Sequence, residues 1–226
     1  MTHPGVSESQ YVDPTVDLHL ERITVPIVDA RDRSAIVLAV VVEDPDSFDV
    51  PIVPWPVDGG RMLDPGTGIE GGTVEGTFSC TWDDGRLLAV NDAVGGRYVI
   101  GCAPPERDAS SDPLDRAVGH CGDKVLLWHL NFHPDGGQLF WSPDGHPFVV
   151  PAAPVGADPD LDRVVGLYSD GTFGICLRPG VWHDGVYPIG GDGRFTTRQG
   201  RVHARVSCDL GAEFARLLEV PLCPPS

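Results

Sequence analysis

The sequence predicts an all-β protein, either a two-sheet sandwich or a closed barrel. Three observations predict it. Eight or more short strand-like stretches recur at regular spacing with turn signals between them. Gly 28 and Pro 22 among 226 residues punctuate the chain too often for long helices. A hydrophobic content of 41% is enough for a core, so the body of the chain is not expected to be disordered.

The elements follow in order. Residues 1–16 are polar, carry Pro4 and Pro14, and read as a flexible N-terminus. Residues 36–42, Ile-Val-Leu-Ala-Val-Val-Val, form a β-branched apolar run and predict a strand buried on both faces. Residues 44–72 are rich in Pro, Gly and Asp and read as loop. Residues 72–101 predict a meander: a strand over 73–82, a hairpin turn at Asp83-Asp84-Gly85, a strand over 86–91, a break at Gly95-Gly96, and a strand over 97–100. Glu75 and Arg97 are charges inside strand-like sequence, so they either face water or form a pocket wall.

After an acidic loop at 104–113, a strand is predicted over 125–132, then a turn at Asp135-Gly136-Gly137 and a strand over 138–141. Ser142-Pro143-Asp144-Gly145 is a further hairpin turn leading into 147–151. Short strands are predicted over 164–168, 172–177 and 186–189. Residues 199–208 alternate, with Gln199, Arg201, His203, Arg205 and Ser207 on one face of a strand. One short helix is expected over 212–218 and a flexible tail over 221–226.

A net charge of −17 argues against binding nucleic-acid backbones or anionic membranes, and it makes any cluster drawn from only 16 basic residues conspicuous. No apolar run approaches the ~20 residues of a membrane span. The first thirty residues hold no signal-peptide pattern. The six cysteines include no Cys-x-x-Cys pair or zinc-ribbon spacing and read as small buried apolar residues. A reducing cytoplasm is the expected compartment.

Two polar clusters set in apolar sequence suggest one pocket built from distant pieces of chain. The first is Leu127 to Trp141, where His133 and Gln138 bracket a Pro-Asp-Gly-Gly turn and Asn131 shares the side of His133. His129 is a further imidazole on that side. The second is Gly174 to His183, with Pro179-Gly180 before Val-Trp-His. His titrates near working pH and suits proton transfer, whereas Arg grips carboxylates at two points. Candidates for that grip are Arg178, Arg201 and Arg205, with His203 on the same face as the last two. Trp182 is expected to pack rather than react.

His133, four residues, then Gln138 resembles the end of the first cupin motif, and Pro179-Gly-Val-Trp-His183 resembles the second; the first cupin His falls at Asn131. More narrowly, His133-Pro-Asp-Gly-Gly-Gln-Leu-Phe, Pro147-Phe-Val-Val, the Asp-rich loop at 158–162 and Gly180-Val-Trp-His resemble the ureidoglycolate lyase family over residues 127–190. The resemblance implies a cupin-type double-stranded β-helix, that is, a jelly-roll barrel. It would occupy residues 73–220, with an N-terminal β extension over 17–72 of the same domain. It implies a homodimer that cleaves ureidoglycolate to glyoxylate and urea. His133, His183 and Gln138 would be catalytic or hold a weakly bound divalent metal. Arg178, Arg201, His203, Arg205, Glu75 and Arg97 are the candidates for contact with a small carboxylic acid. One departure is Asp184, where the family usually has a second His. A metal-dependent cupin isomerase or dioxygenase, and a non-catalytic ligand-binding cupin, remain as alternatives.

Overall fold

Consecutive strands of this chain repeatedly change sheets, and that alternation builds the fold. The structure, a computed structural model, describes residues 20–54, 61–68, 71–104, 123–201 and 204–226. The expected flexible start at 1–16 and His203 therefore lie outside the described residues.

The strands are β1 Glu21–Thr24, β2 Ile27–Asp29, β3 Ala39–Val42, β4 Thr73–Asp83, β5 Arg86–Asn91, β6 Gly96–Cys102, β7 Lys124–Leu127, β8 His129–Phe132 and β9 Gln138–Trp141. They continue as β10 Phe148–Ala153, β11 Val165–Ser169, β12 Gly174–Leu177, β13 Trp182–His183, β14 Tyr187–Pro188, β15 Gly193–Gly200, β16 Val206–Asp209 and β17 Arg216–Pro221. Among the described residues, a single α-helix, α1 Leu210–Phe214, lies between β16 and β17. The larger sheet runs β1-β17-β7-β6-β5-β4-β15-β9-β12-β3, and the smaller runs β16-β8-β13-β10-β11-β2 with β14 on β10. The pairs are antiparallel except β1 with β17 and β2 with β11. This is an all-β, cupin-type sandwich.

Aromatic rings fill the space between the sheets. Phe140, Phe148 and Phe195 are fully buried, and Phe78–Phe140 and Phe148–Phe195 meet edge to face at 5.6 and 5.3 Å. Such pairs add ~0.5–1.5 kcal/mol beyond area burial. The expected meander is present as β4, β5 and β6, with the hairpin turn at Asp84-Gly85 in positive φ. A bulge opposite Leu87 and Leu88 inserts Ile100 into β6.

Four expectations need correction, each because pattern does not report a corner. Residues 125–132 are not one strand: the chain leaves the larger sheet after Leu127 and enters the smaller one at His129. Unbroken apolar burial through Val125, Leu126 and Leu127 hides that crossing. Residues 199–208 also cross between sheets, from β15 to β16, so the alternation carries no common face. Gln199 and Arg205 are buried while Arg201 is exposed. Residues 36–42 form a 3-10 turn at Ala35–Val37 followed by edge strand β3, and Ile36 and Val37 are 62% and 63% exposed. The helix begins two residues earlier than expected and ends at Ala215, whose φ of 52° is left-handed, so residues 216–221 are strand. In the tail, Leu222 is buried and its N–H donates to Asp123 O at 2.7 Å.

Candidate active site

The sheet crossings bring the two sequence clusters together. The Pro-Asp-Gly-Gly turn carries the chain from β8 in the smaller sheet to β9 in the larger one, so His133 and Gln138 face each other across the interior. The turn is tight: a Cβ at Gly137 would meet Leu177 O at 2.5 Å, which only glycine avoids. Gly180, at φ +77°, turns the chain after Pro179 into Val181 and β13. His183 then pairs with Asn131 of β8. Trp182 is fully buried, packs edge to face on Phe132 at 4.7 Å, and donates through Nε1 to Gly156 O.

Both imidazoles point their Nε2 atoms at one amide. His133 Nε2 lies 3.0 Å and His183 Nε2 3.1 Å from Gln138 Oε1, with ring centroids 5.2 Å apart. His133 Nδ1 sits 2.9 Å from Ala204 O, and His183 Nδ1 sits 2.7 Å from Val181 O. A carbonyl only accepts, so each Nδ1 carries the hydrogen and each neutral ring presents a lone pair at Nε2. Gln138 Nε2 in turn donates to Gln199 Oε1 at 2.9 Å and Thr197 Oγ1 at 3.2 Å, and Asn91 Nδ2 donates to Gln199 Oε1 at 3.4 Å.

The rings are kept neutral. Burial pushes the His133 pKa below its ordinary value. Burial first, and then the neighbouring His133, push His183 down to about 3.

With Oε1 toward the histidines, three lone pairs converge on one point. Two arrangements relieve that. A cation can sit among the three atoms, or the amide can turn so that its NH₂ donates to both Nε2 atoms. Two neutral imidazoles held at Nδ1 by carbonyls form an oriented ligand pair, and an amide oxygen completes a weak, uncharged set. The residues therefore fit a loosely held divalent metal. Among the described residues, no group of three or more His, Cys, Asp or Glu side chains could hold a metal.

His133 and Gln138 of this cluster, but not His183, line a cavity of about 50 Å³, against the ~10–15 Å³ that one buried water needs. Two charged residues, Arg205 and Asp184, line the same cavity, together with Tyr98, Trp128 and His129. Arg205 Nε donates to Asp64 Oδ2 at 2.5 Å, and the Tyr98 hydroxyl also hydrogen-bonds Arg205. Asp64 accepts a further hydrogen bond from Ser207 Oγ.

Of the residues expected to contact an acid, Arg205 alone lines this cavity among those described. Arg178 is exposed and donates through Nε to Ile36 O at 2.9 Å. Arg201 and Arg97 are exposed as well, and Glu75 pairs with Arg198 on the outer side of β4 and β15. Odd-numbered Glu75 and even-numbered Phe78 lie on opposite faces of β4, so the outward direction of Glu75 follows from the pleat. Asn91, Tyr98, Trp128, Gln199 and Asp184 line or support the site without having been singled out as contacts. Asp184 was legible only as a departure, and nothing in the local pattern distinguishes Tyr98 from a core aromatic.

Comparison with known proteins bears on this geometry. The family model described as "Ureidoglycolate lyase" matches residues 117–212. A ureidoglycolate lyase of Azotobacter vinelandii is 34% identical over 122 residues, covering 53% of this chain and 71% of the relative. Those of Stutzerimonas stutzeri and Pseudomonas savastanoi pv. phaseolicola are 42% and 38% identical over 65 residues, covering 29% of this chain. In these last two alignments the chain spans 38% of the relative's length.

Proposed function

Because the chain belongs to the ureidoglycolate lyase family, we propose that its pocket cleaves ureidoglycolate, or a close hydroxylated analogue, to glyoxylate and urea. The observation that carries this reading is the meeting of His133, His183 and Gln138, where His133 and Gln138 line a cavity that also holds a buried arginine. The reaction is redox-neutral. The carbinol O–H loses its proton, its C–O bond becomes C=O, the C–N bond breaks, and the departing nitrogen gains a proton.

Arg205 binds the substrate carboxylate, its guanidinium already fixed by Asp64 and Tyr98. The neutral Nε2 lone pair of one of the two imidazoles, His133 or His183, receives the hydroxyl proton, and the imidazolium so formed returns it to the departing nitrogen. Gln138 holds the two rings in register and orients the carbinol oxygen. A divalent metal held by His133, His183 and Gln138 would supply Lewis-acid charge to the substrate oxygens. The converging lone pairs favour, as a second reading, a metal-dependent cupin isomerase or dioxygenase on a small acid. Chelation of the purified protein tests the second reading: turnover that survives metal removal eliminates it, whereas glyoxylate release from ureidoglycolate supports the first whether or not metal is present.

Incubation with ureidoglycolate, following glyoxylate, tests the named substrate. Glyoxylate release that His133→Ala and His183→Ala abolish is the expected result, and no release by the folded protein removes ureidoglycolate. A homodimer in the cytoplasm belongs to the same reading, and light scattering after gel filtration checks the dimer.

A further inference from the structure

Three side-chain amides stand in line behind the histidines. Asn91, Gln199 and Gln138 are all buried, and they come from β5, β15 and β9. The line starts at a donor that cannot be reversed. The backbone N–H of Ala93 donates to Asn91 Oδ1 at 3.1 Å, so Asn91 turns its NH₂ toward Gln199. Gln199 answers with Oε1, which accepts from Asn91 Nδ2 at 3.4 Å and from Gln138 Nε2 at 2.9 Å. Thr197 Oγ1 accepts from Gln138 Nε2 at 3.2 Å. With its NH₂ committed to Gln199 and Thr197, Gln138 has only Oε1 left for the imidazoles, 3.0 and 3.1 Å from their Nε2 atoms.

Which end of an amide is oxygen is decided by its hydrogen-bond partners. Turning Gln138 alone would set its oxygen 2.9 Å from Gln199 Oε1, acceptor against acceptor. Turning Gln199 with it would set two NH₂ groups 3.4 Å apart. Turning all three would set the Asn91 NH₂ against the Ala93 N–H at 3.1 Å. The mismatch moves along the line but never leaves it, because the far end is backbone.

This orientation matters for proton transfer. A Gln138 NH₂ turned to the rings would donate to the Nε2 lone pairs and occupy them. The orientation found leaves them open, and His133 and Gln138 line the cavity.

We propose that Gln199 and Asn91 are positioning residues. Their amides hold the Gln138 NH₂ away from His133 and His183, so that an imidazole lone pair stays available to the substrate hydroxyl. The catalytic part of this rests on the function proposed above, whereas the amide orientation does not.

The experiment reads the two parts separately. In the full chain labelled with nitrogen-15 and carbon-13, scalar coupling across a hydrogen bond identifies the acceptor of the Gln138 NH₂. Coupling to the Gln199 side-chain carbonyl carbon is expected. Coupling to a histidine Nε2 in the unaltered protein overturns the proposal without any variant, so a variant that fails to fold does not rescue it. In Asn91→Asp an oxygen replaces the NH₂ that faces Gln199, so the whole line is expected to turn over and the Gln138 coupling to move to the rings. Ureidoglycolate turnover by this variant is then expected to fall about tenfold or more in kcat while KM stays within about twofold, because Arg205 still holds the acid. Gln199→Leu, which removes the acceptor, is expected to lower kcat in the same way. A coupling that moves with kcat unchanged overturns the positioning role, and so does a loss confined to KM, which a merely structural disturbance of the pocket predicts. No glyoxylate from the unaltered protein removes the catalytic part together with the function it rests on, while the coupling still decides the orientation.

Discussion

The site has two sets of polar residues, a neutral one and a charged one, that handle polarity in opposite ways. In one, His133, His183 and Gln138 are buried polar groups that carry no charge, because burial holds both imidazoles neutral and backbone carbonyls fix their hydrogens at Nδ1. In the other, Arg205 and Asp184 are buried charged residues, each tied to a partner, Asp64 and Tyr187 respectively. The neutral set has lone pairs to spare and suits accepting a proton or holding a weak metal. Under the proposed function, Arg205 takes the carboxylate end of the substrate and so sets its direction. Chemistry and orientation are thus divided between side chains from different strands.

That division can be broken most severely in the neutral set. His183→Ala is expected to lower kcat by ~10²–10⁴-fold, the usual contribution of a positioned proton-transfer group, with KM little changed. A steady-state measurement showing the loss in KM alone would reassign His183 to binding. In the charged set the effect is smaller and of the other kind. Arg205→Lys keeps the charge but loses the planar fork, and KM for the acid is expected to rise ~10-fold while kcat changes less.

The neutrality of the histidines predicts a stability slope. The pKa of His183 is lowered from 6.5 to about 3, so between those values the unfolded chain binds a proton that the folded chain excludes. Its contribution to stability is complete above pH ~6.5 and falls by ~1.4 kcal/mol per pH unit as the pH drops toward 3. Urea denaturation at pH 7 and pH 5, for the unaltered protein and His183→Gln, isolates this term: the variant is expected to lose less on acidification. The smallest effects belong to the residues outside both sets. Arg178→Ala and Glu75→Gln are expected to change stability by less than ~0.5 kcal/mol and leave turnover unaltered, as thermal melting and the glyoxylate assay would show.

Much of the neutral set was legible in the sequence. His133, Gln138 and His183 stand in short motifs whose Gly and Pro turns dictate local backbone, and local backbone is what a sequence pattern reports. The charged set was less so. Arg205 was one of three candidate arginines, and Arg201, on the same alternating stretch, shared its parity yet points to solvent. Asp184 was marked only as a departure from the family pattern, and Tyr98 not at all. Their places in the site come from neighbours that lie far away along the chain: Tyr98 meets Arg205, and Asp184 lies beside His129.

By itself the sequence determined that this chain is all-β, where most strands and turns lie, and which two polar clusters belong to one site. Periodicity, turn chemistry and composition act over a few residues, and those features do too. Tertiary structure alone decided where the chain crosses from one sheet to the other, at Trp128 and between Gly200 and Val206. A crossing resets which face is inside without changing the alternation of side chains. The choice of Arg205 over Arg178 and Arg201, and the facing of Asp184 into the cavity, follow from those crossings.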